Sequence, residues 1–253
     1  MSKLKTKEEI EQWLEQMEIT NYVIHEDLTV DVDGHVLLSS KQLKEIPIQF
    51  GLVNGNFNCS RNQLSSLKGC PQITQGGFDC RFNHLKTLEG CPQEIKGSLN
   101  CSDNELTSLE GCPQEIGGHL ICSFNKLTNL KGCPKVIKNS FYCNHNQLTN
   151  LENCPKIISS NFHCGNNKLI SLEGCPQIIG EDFNCSENKL SSLDIYLQEI
   201  RGDFYCYNNP LPSDLLNLLE EHPGKGIQII QSYYLKKDLD MISHHHHKKK
   251  NKI

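Results

Sequence analysis

Cysteine recurs every 21 residues, at Cys59, Cys80, Cys101, Cys122, Cys143, Cys164, Cys185 and Cys206, with no insertion or deletion between copies. An asparagine stands three positions after each one, at Asn62, Asn83, Asn104, Asn125, Asn146, Asn167, Asn188 and Asn209, and a leucine five positions after, from Leu64 to Leu211. So strict a period means one small unit copied and stacked, because a unit this short cannot hide its apolar face alone. Each column of residues then has one environment, repeated along the stack.

In the copy from Ile116 to Pro134, apolar residues stand at Ile116, Leu120, Cys122, Leu127 and Leu130. The alternation through Leu120, Ile121 and Cys122 predicts a short strand with residues 120 and 122 facing inward. Stacked in parallel, such strands share a core in which cysteine acts as a small buried hydrophobe. The asparagine column falls where the strand ends. An inward amide there offers two donors and an acceptor to backbone groups that the turn leaves unpaired. Six copies continue with Gly-Cys-Pro or Asn-Cys-Pro, placing Cys70, Cys91, Cys112, Cys133, Cys154 and Cys175 before proline. Glycine in five of these and Asn153 in the sixth predict a left-handed turn residue, and the proline favours an extended return.

The combined pattern resembles a leucine-rich repeat with cysteine in place of an inward strand leucine, over roughly Val36 to Leu211. The short period and the proline-bearing return are similar to those of bacterial secreted effectors, and Cys-Pro arrays of this kind occur in phage and giant-virus proteins. The resemblance implies an α/β solenoid: a horseshoe with a parallel concave β-sheet, a mostly irregular or polyproline-like convex side, helical caps at both ends, and protein or peptide recognition on the concave face. In one respect the chain departs from that family. The leading apolar residue (Ile95, Ile116, Ile137) lies six positions before the cysteine rather than five, which shapes the outer half of each coil differently. The ubiquitin-ligase domain that follows the repeats in some such effectors is not implied, since residues 212–253 contain no cysteine.

Residues 1–35 read as an N-terminal cap. Thr6 and Glu9 form a capping box ahead of Ile10, Trp13, Leu14 and Met17 at helical spacing, and the segment from Leu28 reads as a hairpin turning at Asp33-Gly34. Residues 36–211 read as one degenerate coil, marked by Leu38, Leu43 and Ile46, and eight coils of 21 residues, with Tyr196-Leu197 in place of the last Cys-Pro pair. Residues 212–243 read as a C-terminal cap. Pro212, Ser213 and Asp214 open a helix bearing Leu215, Leu216, Leu218 and Leu219, His222-Pro223-Gly224 end it, and Ile227, Ile229 and Ile230 form a final strand. Residues 244–253, rich in histidine and lysine, read as a disordered tail.

A net charge of −5 argues against a nucleic-acid partner, whose affinity would rest on phosphate neutralisation. No apolar leader or membrane-length run is present, so a reducing cytoplasmic address and no membrane partner are expected; the effector resemblance leaves open export by a signal not visible in the sequence. All 14 cysteines fall in two repeat columns and none forms C-x-x-C, which points to free structural thiols, with no metal and no cofactor. His163 directly precedes Cys164, but strand alternation sends the two side chains to opposite faces, so no nucleophile pair forms and no enzyme activity is expected.

Information about a ligand lies in the outward, variable columns. Phe82, His119, Ile121, Phe124, Tyr142, His145, His163 and Tyr205 are the candidate binding residues, an aromatic and histidine-rich patch on an otherwise polar face. The expected function is a non-catalytic scaffold, monomeric, that binds a protein or peptide. The alternative is an assembly component that oligomerises through its caps and has no soluble ligand.

Overall fold

The structure, a computed structural model, describes residues 3–193 and 198–250, so Tyr196 and Leu197 lie outside the described residues. It is a parallel β-solenoid in which each coil supplies two short strands. Glu115–Ile116 pairs with Val136–Ile137 of the next coil, and Leu120–Ile121 pairs with Phe141–Tyr142, both in the 21-residue register. The ladder through Leu120–Ile121 has nine strands, running from Val36–Leu37 to Phe204–Tyr205. The leading strands form two sheets: one of seven strands from Tyr22–Ile24 through Thr29–Val32 and Gln49–Val53 to Val136–Ile137, and one of three from Ile157–Ile158 to Glu199–Ile200. The six-residue spacing explains the extra ladder. Ile116 and Leu120 both point inward, and Gly117 to His119 form the corner between them. The side of the coil expected to be irregular therefore carries a two-residue strand of its own, and residues 122–135 between the two strands are bends and turns.

The interior is built from the repeating columns. Ile116, Leu120, Cys122, Leu127, Leu130 and Cys133 are all buried, and so are their counterparts through the middle of the stack, with Leu43 and Ile200 near its ends partly buried. Phenylalanines stack through the core, with ring centroids 5.6 Å apart for Phe141 and Phe162 and 5.4 Å for Phe162 and Phe183. All 14 cysteines are free and buried. Burial pushes the thiols of 13 of them up, Cys101, Cys175 and Cys206 to about 12.

The asparagine column does what its position predicts. Each Nδ2 donates to the cysteine carbonyl of its own coil at 2.9–3.3 Å. It also donates to the matching carbonyl of the preceding coil at 2.8–3.1 Å. Each Oδ1 accepts the N–H of a residue in the preceding coil, Leu43 for Asn62 and Leu190 for Asn209, at 2.9–3.0 Å. Asn62 thereby ties the first complete copy to Leu38 and Leu43 of the degenerate coil.

Helix α1 (Lys7–Gln16) starts at the Thr6–Glu9 capping box and buries Ile10, Trp13 and Leu14, with Trp13 6.3 Å from Phe50. The hairpin differs from expectation. Tyr22–Ile24 pairs antiparallel with Thr29–Val32, so the turn lies at residues 25–28, where Asp27 accepts from the Thr29 N–H at 3.0 Å. Asp33-Gly34 is instead a corner between ladders, one register step upstream of Asn54-Gly55, because Val32 pairs with Val53 and Val36 with Phe57. At the other end, helix α2 (Ser213–Glu221) buries Leu215 and Leu219. Helix α3 (Gly226–Lys250) contains Ile227, Ile229 and Ile230, which are helical rather than a strand, with Ile230 buried against the core. The Tyr234 hydroxyl accepts from the Leu193 N–H at 2.9 Å, fastening α3 to the last coil. The backbone of α3 passes through His244 to Lys250, the stretch expected to form a tail; residues 251–253 lie outside the described residues.

The residue before each Cys-Pro has the left-handed backbone that its composition predicts, with φ of 82–93° at the five glycines and 69° at Asn153. A Cβ on Gly174 would lie 2.7 Å from Leu151 backbone atoms of the preceding coil, and one on Gly111 would lie 2.6 Å from Leu88. Asn153 carries such a Cβ, and there the ladder of leading isoleucines is interrupted. Among the described residues no pairing joins Val136–Ile137 to Ile157–Ile158, although Phe141–Tyr142 and Phe162–His163 remain paired on the adjoining face. Of the six Cys-Pro turns, the interruption thus falls at the one whose turn residue carries a Cβ. Asn153→Gly is expected to close the gap and stabilise the fold by about 1 kcal/mol, the scale of the left-handed penalty removed. The urea midpoint reports this directly; a lower midpoint in the variant would show that the Asn153 amide, not the gap, dominates.

Candidate functional site

The outward face of the nine-stranded ladder presents one side chain per coil, from the residue just before each cysteine. Register brings Ile121 beside Tyr142 and Tyr142 beside His163. Tyr142 meets His163 edge to face at 5.0 Å and lies 6.3 Å from His119. Phe124 and His145 sit on the turn that follows the strand, stacked at 4.2 Å with their planes 10° apart. The structure thus gathers Ile121, Tyr142 and His163 into one row and Phe124 with His145 into a parallel ridge. It leaves two candidates apart. Tyr205 is separated from His163 by Asn184 and donates its hydroxyl to Asp203 at 3.0 Å, and Phe82 lies under the Arg61 guanidinium at 4.4 Å.

His119 has a second role that its position in the repeat explains. At the corner between ladders the backbone N–H cannot join a strand, and the side chain three before each cysteine accepts it from one coil earlier. His35 Nδ1 accepts from Asn56, Asn56 Oδ1 from Gly77, Ser98 Oγ from His119, His119 Nδ1 from Ser140, Ser140 Oγ from Asn161, Asn161 Oδ1 from Asp182, and Asp182 Oδ1 from Asp203, at 2.7–3.3 Å. Accepting at Nδ1 fixes the His119 proton on Nε2 and turns that N–H away from the corner. Single-residue reading missed this second polar ladder. Its signal is a column of varied residue types that share only an acceptor, broken at Gly77.

Burial pushes the His163 imidazole below its ordinary 6.5, against the opposing pull of Asp182, so the ring is neutral at pH 7. Cys164 behind it is buried on the other side of the strand with its thiol pushed up by desolvation, so at neutral pH it holds its proton. The outward asparagines are also engaged. Asn58, Asn100 and Asn184 each accept from the N–H two residues on, at 2.9–3.1 Å, which fixes the bend leaving the strand. The face is therefore a regularly spaced row in which Asn58, Asn100, Asn184 and Tyr205 are held by local hydrogen bonds, while the Tyr142 and His163 rings meet each other.

Among the described residues no helix is long and apolar enough to cross a membrane. Comparison with family models and with curated protein sequences finds no match for the chain.

Proposed function

We propose that the chain is a non-catalytic scaffold of the leucine-rich-repeat kind, which holds a protein or peptide on the outward face of its nine-stranded ladder. The contiguous row Ile121, Tyr142 and His163, flanked by the Phe124–His145 stack, carries this reading. Core columns are spent on packing, so only the outward columns are free to differ from coil to coil, and they concentrate their aromatic rings on neighbouring coils. Rigid rings already fixed by their neighbours lose little entropy on binding. The asparagine staples support the leucine-rich-repeat assignment. The burial of Trp13 and Leu14 at one end and of Leu219 and Ile230 at the other supports reading the terminal helices as caps. Fourteen free thiols suit a reducing compartment.

Tyr142→Ala is expected to weaken binding of a protein partner by roughly 2 kcal/mol, about thirtyfold, with no change in melting temperature. Glu110→Ala, on the return side where its carboxylate meets exposed Lys131 and the Ser108 hydroxyl, is the control. A partner first captured by a photoreactive phenylalanine analogue at position 142 supplies the titrant. Binding lost through Glu110 and kept through Tyr142 would place recognition on the opposite surface.

Leu235 and Leu239 of α3 are 62% and 58% exposed, which favours a second reading in which the C-terminal helix joins copies of the chain. Native mass spectrometry distinguishes the two: a monomer supports the scaffold, and an oligomer dispersed by Leu235→Glu supports assembly.

A further inference from the structure

The residue two after each ladder cysteine has left-handed backbone in all eight coils, with φ of 53–55°. Inter-coil hydrogen bonds impose this, as when the Phe82 N–H reaches the Ser102 carbonyl and the Phe124 N–H that of Asn144, both at 3.2 Å. Asparagine tolerates such a φ and occupies the column at Asn166 and Asn208; phenylalanine does not, at about 1–2 kcal/mol each. Phe82 and Phe124 sit there nonetheless, 40% and 51% exposed. An apolar ring that is both strained and wet is the kind of outlier that marks a functional position.

Their surroundings say what for. The Arg61 guanidinium covers the face of Phe82 turned toward the N-terminal end, and His145 covers the face of Phe124 turned toward the C-terminal end. The two uncovered faces look toward each other across a single rung, and that rung is Asp103, with the same φ and so the same exit direction for its side chain. Neighbouring Glu105 is occupied by Lys126 at 2.9 Å. Among the described residues Asp103 has no ion pair and no side-chain hydrogen bond. With coils about 4.8 Å apart, a group on the Asp103 rung lies about 4.8 Å from each ring, inside the ~6 Å reach of a cation over an aromatic face.

We propose that this rung is a slot for a planar cation, the guanidinium of an arginine on a partner peptide, held between Phe82 and Phe124 and paired with Asp103. A guanidinium is flat, stacks on both faces and presents its donors edge-on to a carboxylate, which a lysine ammonium cannot do. Arg61 on Phe82 displays the same contact within the chain. A nucleobase would stack equally well but brings a phosphate to a protein of net charge −5 and gains no ion pair. The slot rests on the peptide-binding reading and adds the side chain it selects; its test requires no protein partner, so the two can fail separately.

The test is an amide-resolved NMR titration with the blocked tripeptide acetyl-Gly-Arg-Gly-amide, up to about 10 mM because a single side chain binds weakly. Saturable shifts are expected at the amides of Phe82, Asp103 and Phe124, with upfield ring-current shifts of the arginine δ protons. The lysine tripeptide is expected to bind about fivefold or more weakly, for lack of a stacking plane. Asp103→Asn and Phe124→Asn put in the column's own Asn166 and Asn208 residue type, so both fold. Asp103→Asn is expected to weaken binding about tenfold through loss of the charge-assisted pair. Phe124→Asn is expected to abolish binding while raising the urea midpoint, a combination that a purely structural ring would not give. No saturable shift at those amides, equal binding of the lysine peptide, or tighter binding of cytidine monophosphate than of the arginine peptide would each overturn the slot.

Discussion

Raising the pH from 8 to 10 is expected to unfold the solenoid in one steep step. Burial raises the thiols of 13 cysteines above the 9.0 of an unburied one, to about 12 at Cys101, Cys175 and Cys206. Below pH 9 folded and unfolded chains alike keep these protons, and the thiols contribute their full packing. Above it the unfolded chain sheds protons that the folded chain must hold, so stability falls as pH rises from 9 toward 12. Each thiol removes about 1.4 kcal/mol per pH unit once its unfolded form is ionised. Thirteen together remove about 18 kcal/mol per unit, more than the roughly 5–15 kcal/mol by which a typical domain is stable. Circular dichroism against pH under reductant measures the midpoint, and refolding on return to neutral separates titration from damage. A chain still folded at about pH 10.5 would show that water reaches the thiol columns.

Asn146→Ala is expected to destabilise the protein by about 2–3 kcal/mol, because the buried Leu127 N–H loses its acceptor while the Cys122 and Cys143 carbonyls each lose one of two amide donors, keeping those of Asn125 and Asn167. Nδ2 donates to the Cys122 and Cys143 carbonyls at 3.1 Å each, and Oδ1 accepts the Leu127 N–H at 3.0 Å. Water cannot replace the amide, since the groups it serves lie between buried leucines on two coils. Asn100→Ala is the comparison. From its outward direction alone the change should be nearly silent, but Asn100 Oδ1 accepts from the N–H and the hydroxyl of Ser102, at 3.1 and 2.9 Å. A loss of about 1 kcal/mol is expected there, since these bonds are local and partly solvated. Urea denaturation of the pair decides the point. Equal losses would mean that the inward staple adds nothing beyond an ordinary turn bond.

Columns whose chemistry is constant were legible from the sequence. The phenylalanine, cysteine, asparagine and leucine positions declare burial by repetition, and glycine with Asn153 declares a left-handed turn because few other residues tolerate one. What stayed hidden was set by neighbouring coils rather than by residue type. The left-handed column of Arg61, Phe82, Asp103 and Phe124 carries no glycine signature, because inter-coil hydrogen bonds fix its backbone whatever the side chain. The acceptor ladder through Ser98, His119 and Ser140 was obscured by its mixed composition, so His119 read as a recognition residue alone. The local signal of Asp33-Gly34 as a hairpin turn lost to the 21-residue register, which makes it a corner. Ile227 and Ile230 were ambiguous for the reason short apolar runs usually are: spacing of three suits a helix, and β-branching suits a strand.

The asparagine staple has a direction. Each amide reaches back to carbonyls of the coil before it and receives an N–H from that same coil, and none reaches forward. A coil is therefore hydrogen-bonded to completion only when its successor in the sequence is in place: Leu127 waits for Asn146, and Leu148 for Asn167. Backbone N–H groups of the ladders are stranded at either end, as Gln147 donates back to Leu127 and Cys122 forward to Tyr142. In the staple itself, loss of a C-terminal coil strands a backbone donor, whereas loss of an N-terminal coil strands a side-chain amide that can swing toward water. The two ends of the stack are thus chemically unequal growth points. A chain made from its N-terminus satisfies its interior in the order in which it emerges, each new turn completing the last.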